Sequence, residues 1–238
     1  MSVYTKLLAS LHTLLYGNVC IACGEPISDV MHGMCTHCRY AIPETNYWKH
    51  ASNPIMERLE GLMPFEHASA LFFYAVESDW RKLIHSFKYG SSWHKAYSMG
   101  RWYGYALKES PYYADIDVIV PVPLHYKKIA RRSYNQSQYI ADGISKVMGV
   151  RVDGSAVCRV VNNPSQARLE RDRRWNNVDS IFAVRHAERL RGKHILLVDD
   201  VLTTGATIIS CANAIVRAVP DCRISVAVLA VTRHIVKE

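Results

Sequence analysis

The chemistry most readable in this sequence lies where an apolar run ends in two adjacent carboxylates. Ile195-Leu196-Leu197-Val198 leads to Asp199 and Asp200, and after Val201-Leu202 the string Thr203-Thr204-Gly205-Ala206-Thr207 opens a helical stretch. Backbone N–H groups at a helix start, with the hydroxyls of Thr203, Thr204 and Thr207, form an anion cradle that the helix dipole reinforces. Gly205 allows the backbone to approach a phosphate closely, and Ala206 belongs to the same cradle. Two carboxylates at its lip suit the vicinal hydroxyls of a ribose, directly or through Mg²⁺. Phosphate at one end and a diol at the other describe a ribose 5-phosphate. The string lacks the Gly-Lys-Thr/Ser of a Walker A loop and the G-x-G-x-x-G of dinucleotide folds.

A second constellation is made of cysteines. Cys20-x-x-Cys23 and Cys35-x-x-Cys38 are separated by eleven residues, and four of the seven cysteines are thereby accounted for. Two such knuckles supply the four sulfur ligands of a closed structural Zn²⁺ site. The competing reading, a redox C-x-x-C, fits less well, because thioredoxin-like motifs come singly and ahead of a helix. His32 and His37 are substitute ligands that four sulfurs make unnecessary. Cys158, Cys211 and Cys222 have no partner spacing and read as small buried residues.

The chain carries 29 Lys+Arg against 21 Asp+Glu, a formal charge of +8, which favours polyanionic partners without choosing between nucleic acid and phosphorylated metabolites. The cations cluster at Lys127, Lys128, Arg131 and Arg132 and again at Arg168, Arg171, Arg173 and Arg174. A solvated surface is the plain alternative for both runs.

These residues need elements to hold them. The 238 residues suffice for one sizeable core plus a small module. The pattern predicts strands over Ala68–Tyr74, Asp117–Val120, Ala156–Val161, Lys193–Val198 and Arg223–Val231. It predicts helices over Trp80–Tyr89, Lys95–Leu107, Ser133–Val147 and Ala206–Val219, and a short charged helix or loop over Arg168–Trp175. Strands separated by helices of this length imply parallel crossovers and an α/β sheet covered on both faces, with ligands beyond the carboxyl ends of the strands. Residues 1–41 read as an N-terminal helix with the cysteine module, 42–66 as a connector and 67–238 as the main body. Leu7, Leu8, Leu11, Leu14 and Leu15 fall at helical spacing without a small-x-small cleavage site, so a packed amphipathic helix and a cytoplasmic protein are expected. No stretch has the apolar length of a membrane span.

On the Asp199–Thr207 string the sequence resembles the type I phosphoribosyltransferase family. Phe87-Lys88-Tyr89-Gly90, Val120-Pro121-Val122-Pro123-Leu124-His125, Tyr134-Asn135-Gln136-Ser137 and Arg171-x-x-x-Trp175-Asn176-Asn177-Val178 narrow the resemblance to the ComF competence family, which also carries a four-cysteine module. The resemblance implies a type I phosphoribosyltransferase-like parallel sheet flanked by helices, binding phosphoribosyl pyrophosphate with Mg²⁺. It implies that Asp199 and Asp200 hold the ribose and Thr203 to Thr207 the 5-phosphate. Lys127, Lys128 and Arg131, after the loop that follows Val120, would neutralise pyrophosphate. Arg159 to Gln166 lies where the family has a mobile lid. Two positions depart from the family pattern: Asn163 stands for a Thr, and Ser133 for a Gly. A role in uptake or use of external DNA is implied, through transfer of phosphoribose to an acceptor. The alternatives are a non-catalytic ribose-phosphate sensor and an adaptor that binds single-stranded DNA or a DNA-uptake helicase.

Overall fold

The structure is a computed structural model describing residues 19–27, 33–74, 79–88, 92–161 and 181–232. The amino-terminal leucines, the cationic run Arg168 to Arg174, Asn163 and the Arg171–Val178 motif lie outside the described residues.

Because Ile195 to Val198 is apolar at every position, this segment can be buried on both faces, as a parallel sheet requires. It forms the centre of β5 (His194–Leu202). β6 (Arg223–Thr232) runs parallel on one side and β2 (Val118–Pro121) on the other, with β1 (Ala68–Tyr74) beyond β6, so the order is β1-β6-β5-β2. Alternate residues serve opposite layers. Ile195, Leu197, Val226 and Val228 share a cluster with Ile208, Cys211 and Ile215 of α7 (Ala206–Ala218). Leu196, Val198, Ala227 and Leu229 share the other with Met99 and Tyr103 of α4 (Trp93–Lys108) and Ile140 and Ile144 of α6 (Gln136–Met148).

α4 and α6 cross almost backbone to backbone. A Cβ on Gly100 would stand 2.2 Å from the Ile140 carbonyl oxygen, and one on Gly143 would stand 2.3 Å from that of Tyr97. Only glycine fits either place, and the crossing fixes where the amino end of α6 points.

The cysteine module joins the main core. Cys20, Ile21, Met34, Ile42 and Trp48, with Cys38 of α1 (Thr36–Ala41), share one cluster with Leu83 and Ile84 of α3 (Asp79–Ser86), the adjoining Phe87, and Met99 and Tyr103 of α4. The connector also holds structure. Asn53 caps α2 (Pro54–Leu59) by accepting from the Ile55 and Met56 N–H groups, and Ile55 and Leu59 are buried in the α7 layer.

The expected strand over Ala156–Val161 forms outside the main sheet. Asp153 accepts from the N–H groups of Ser155 and Ala156 and from the Ser155 hydroxyl, a turn that redirects the chain. β3 (Val157–Arg159) therefore pairs antiparallel with β4 (Phe182–Val184). At the amino end of the sheet, His194 lies between Asp115 (2.8 Å) and Ser225 (2.9 Å). Ser225 is fully buried, so this Ser-His-Asp array is a structural pin without access to substrate. Among the described residues no helix is long and apolar enough to cross a membrane.

Candidate functional site

Pairing between β2 and β5 ends at Pro121 and Val198, and the Val122 N–H makes a last bond to the Val198 carbonyl at 2.8 Å. β5 continues beside β6 alone through Leu202. Asp199 and Asp200 stand where β2 has turned away, at the carboxyl ends of the strands, the usual ligand crevice of such sheets.

The amino end of α6 closes that gap. Asn135 donates to the Val122 carbonyl at 3.0 Å and caps the helix by accepting from the Ser137 N–H at 3.2 Å. The next two side chains then reach the carboxylates. Gln136 Nε2 donates to Asp200 Oδ2 at 3.2 Å, and Ser137 Oγ donates to Asp199 Oδ1 at 2.8 Å. Asp199 Oδ1 also accepts the Asp200 N–H at 2.9 Å, and Lys88 Nζ lies 3.4 Å from Asp200 Oδ2.

Asp199 and Asp200 are 9% and 6% exposed. Burial, and then the neighbouring Asp200 charge, push the Asp199 carboxyl up to about 7. Two carboxylates this close call for a cation or a proton. Cations are near: Asp199 acts electrostatically on half-buried Arg159. Burial and the charges of Arg159, Arg132, Lys88 and Arg131 lower the Lys128 pKa.

Lys127, Lys128 and Arg131 ride on α5 (Tyr126–Arg132), a helix with no buried residue that periodicity did not reveal. His125 Nδ1 accepts from the Lys127 N–H at 3.3 Å to start it, and Ser133 ends it with φ +69°. That left-handed backbone gives a physical reason for glycine to be usual where Ser133 stands. Lys127 and Arg131 are exposed, and Lys128 faces the other cations.

The threonine loop follows directly. Thr203, Thr204, Ala206 and Thr207 are exposed, and Thr204 Oγ1 accepts weakly from the Ala206 N–H at 3.4 Å. Gly205 is buried at φ +81°, and a Cβ there would press on Leu59 Cδ2 at 3.1 Å. The loop thus joins Asp199 and Asp200 to the start of α7, as the sequence suggests. Lys88, Gln136 and Ser137 were visible only as parts of motifs, with no role attached. The one local hint was a polar pair directly after a capping Asn.

At the other site, Cys20, Cys23, Cys35 and Cys38 bring four sulfur atoms within 4.8 Å of one another, a set able to hold a metal ion. Gly24 N–H donates to the Cys20 carbonyl at 2.9 Å, which folds the first knuckle. Cys35 caps α1 by accepting from the Cys38 N–H at 3.4 Å.

The phosphoribosyl transferase domain model matches residues 119–237, half of the chain, running from β2 through the carboxylate pair and threonine loop to the end of β6. This chain belongs to that family. It is similar to the DNA utilization protein YhgH of Escherichia coli K12, 33% identical over 101 residues, 42% of this chain and 44% of that protein. The YhgH of Salmonella typhimurium LT2 is 32% identical over the same shares. These matches span less than half of the relatives' length. Competence protein F of Haemophilus influenzae Rd is 23% identical over 206 residues, 79% of this chain and 86% of that protein. With the family match, these relatives bear out the resemblance: the chain is a ComF-family protein with a phosphoribosyltransferase domain.

Proposed function

We propose that this protein binds phosphoribosyl pyrophosphate with Mg²⁺ and transfers its phosphoribose to an acceptor, in a role connected with the uptake or use of external DNA. The observation that carries the proposal is the continuity of Asp199 and Asp200, held by Ser137 and Gln136, with the open threonine loop at the start of α7. Carboxylate oxygens are the donor type Mg²⁺ takes, and Asp200 already accepts a cation in Lys88. Asp199 and Asp200 would hold the ribose diol and the ion, and Thr203 to Thr207 the 5-phosphate. When bound, Mg²⁺ supplies charge neutralisation for pyrophosphate. Lys127, Lys128 and Arg131 supply further positive charge to the departing anion. Relatives named for DNA utilization and for competence support the biological setting.

Zn²⁺ in the cysteine cluster is part of the same proposal. A tetrahedron with Zn–S bonds of about 2.3 Å has sulfur–sulfur edges of about 3.8 Å. Cys23 Sγ and Cys35 Sγ are 3.8 Å apart.

Calorimetry with phosphoribosyl pyrophosphate and Mg²⁺, beside an assay of pyrophosphate release across bases, nucleosides and DNA ends, tests the function. Wild type is expected to bind saturably, and Asp199→Asn with Asp200→Asn to lose Mg²⁺-dependent binding. Unchanged affinity in the double variant refutes the site. Binding without release for any acceptor identifies a sensor.

A second reading is favoured by α5, where Tyr126 is 67% exposed beside Lys127, Lys128 and Arg131. Exposed aromatic rings among cations suit stacked bases and a phosphate backbone. Single-stranded DNA affinity that falls steeply with salt and is lost on Tyr126→Ala supports it.

A further inference from the structure

With Asp199 and Asp200 read as the ribose and Mg²⁺ holders, Lys88 is a charge still without a role, and any role for it rests on that reading. Its backbone is pinned. Phe87 just before it is fully buried, and the Phe87 carbonyl accepts from the Tyr134 hydroxyl at 2.5 Å. Its side chain keeps 28% of its surface exposed and ends 3.4 Å from Asp200 Oδ2, the oxygen that also accepts from Gln136. The same ammonium lies near enough to α5 to act on Lys128, alongside Arg131, Arg132 and Arg159. Lys88 therefore stands on the border between carboxylates that attract cations and a helix that repels them.

We propose that Lys88 has two positions, neutralising Asp200 while the site is empty and turning to the pyrophosphate oxygens of phosphoribosyl pyrophosphate when Mg²⁺ and ribose take the carboxylates. The ammonium would compete with Mg²⁺ for the Asp200 carboxylate, whose Oδ2 it already occupies. With the α5 cations beside it, a displaced ammonium gains little until an anion arrives to receive it. Pyrophosphate is that anion, and a lysine, a point charge on a four-carbon stem, can follow it where a rigid fork cannot. Ribose 5-phosphate brings the diol and one phosphate without the pyrophosphate, so it displaces Lys88 and offers nothing in return.

The two ligands should therefore respond in opposite senses. In Lys88→Met and Lys88→Gln, phosphoribosyl pyrophosphate affinity at saturating Mg²⁺ falls roughly 10- to 100-fold, the range for removing a hydrogen bond to a charged group. Ribose 5-phosphate affinity holds or rises, and its half-saturating Mg²⁺ drops roughly two- to fivefold, as expected for releasing a partly exposed ion pair. Calorimetry of both ligands against both variants reads this, with thermal melting to check that each variant folds. Parallel weakening of both ligands, or no change in either, overturns the two-position lysine. Wild type that binds neither ligand refutes the carboxylate site itself, and this role with it.

Discussion

Asp199→Asn should stabilise the Mg²⁺-free protein, and by more as the pH rises. The substitution keeps an oxygen where Asp199 Oδ1 accepts from the Ser137 hydroxyl and the Asp200 N–H, and it removes the buried charge. Burial and Asp200 raise this carboxyl from an ordinary 3.8 to about 7. Between those values the folded protein keeps a proton that the unfolded chain has released, so stability falls with rising pH until about 7 and is flat above. At about 1.4 kcal/mol per pH unit, the wild type has lost roughly 1–2 kcal/mol at pH 5 and roughly 4 kcal/mol at pH 8. An Asn that never ionises escapes both losses. For a chain of this length, about 2–4 °C in Tm accompanies each kcal/mol, so the Asn variant should melt roughly 8 °C or more above wild type at pH 8 and roughly 3–6 °C above it at pH 5. Thermal melts across pH 5 to 8.5 without divalent ions measure the gap. A gap that does not change with pH, or an Asn variant that melts below wild type at pH 8, refutes the view that this site stores charge repulsion for a cation to relieve.

Elemental analysis should find one Zn²⁺ per chain, lost in Cys35→Ser with Cys38→Ser; folded protein without zinc removes the assignment. Gly143→Ala should cost on the order of 3 kcal/mol or more in urea unfolding, because its methyl would meet the Tyr97 carbonyl at 2.3 Å and neither backbone can yield alone. A cost below 1 kcal/mol would mean that α4 and α6 separate easily. Replacing Lys127, Lys128 and Arg131 together should weaken phosphoribosyl pyrophosphate binding and leave ribose 5-phosphate binding nearly unchanged in calorimetry, whereas equal losses would show only a general field.

What could be read from the sequence is what the chain keeps contiguous. Asp199 to Thr207 is one unbroken string, and the cysteine knuckles lie close together, so residue type and spacing make both legible as candidate sites. The residues that hold the carboxylates are another matter. Ser137 and Gln136 reach them across 62 and 64 positions, and that meeting depends on α4 and α6 crossing at Gly100 and Gly143. No period in the sequence encodes a crossing of this kind. α5 has no sequence signal because it buries nothing and so has no apolar stripe. β3 lies outside the main sheet because, after Val152 makes a single parallel bridge to Ile119, the buried Asp153 side chain turns the chain away. The cysteine module shows the same dependence from the other side. Along the chain it is an appendage, yet its apolar residues share a cluster with Leu83 and Phe87, and the residue after Phe87 is the lysine that pairs with Asp200. The module and the residue that precedes Lys88 are thus buried in one core, a proximity that chain order does not reveal.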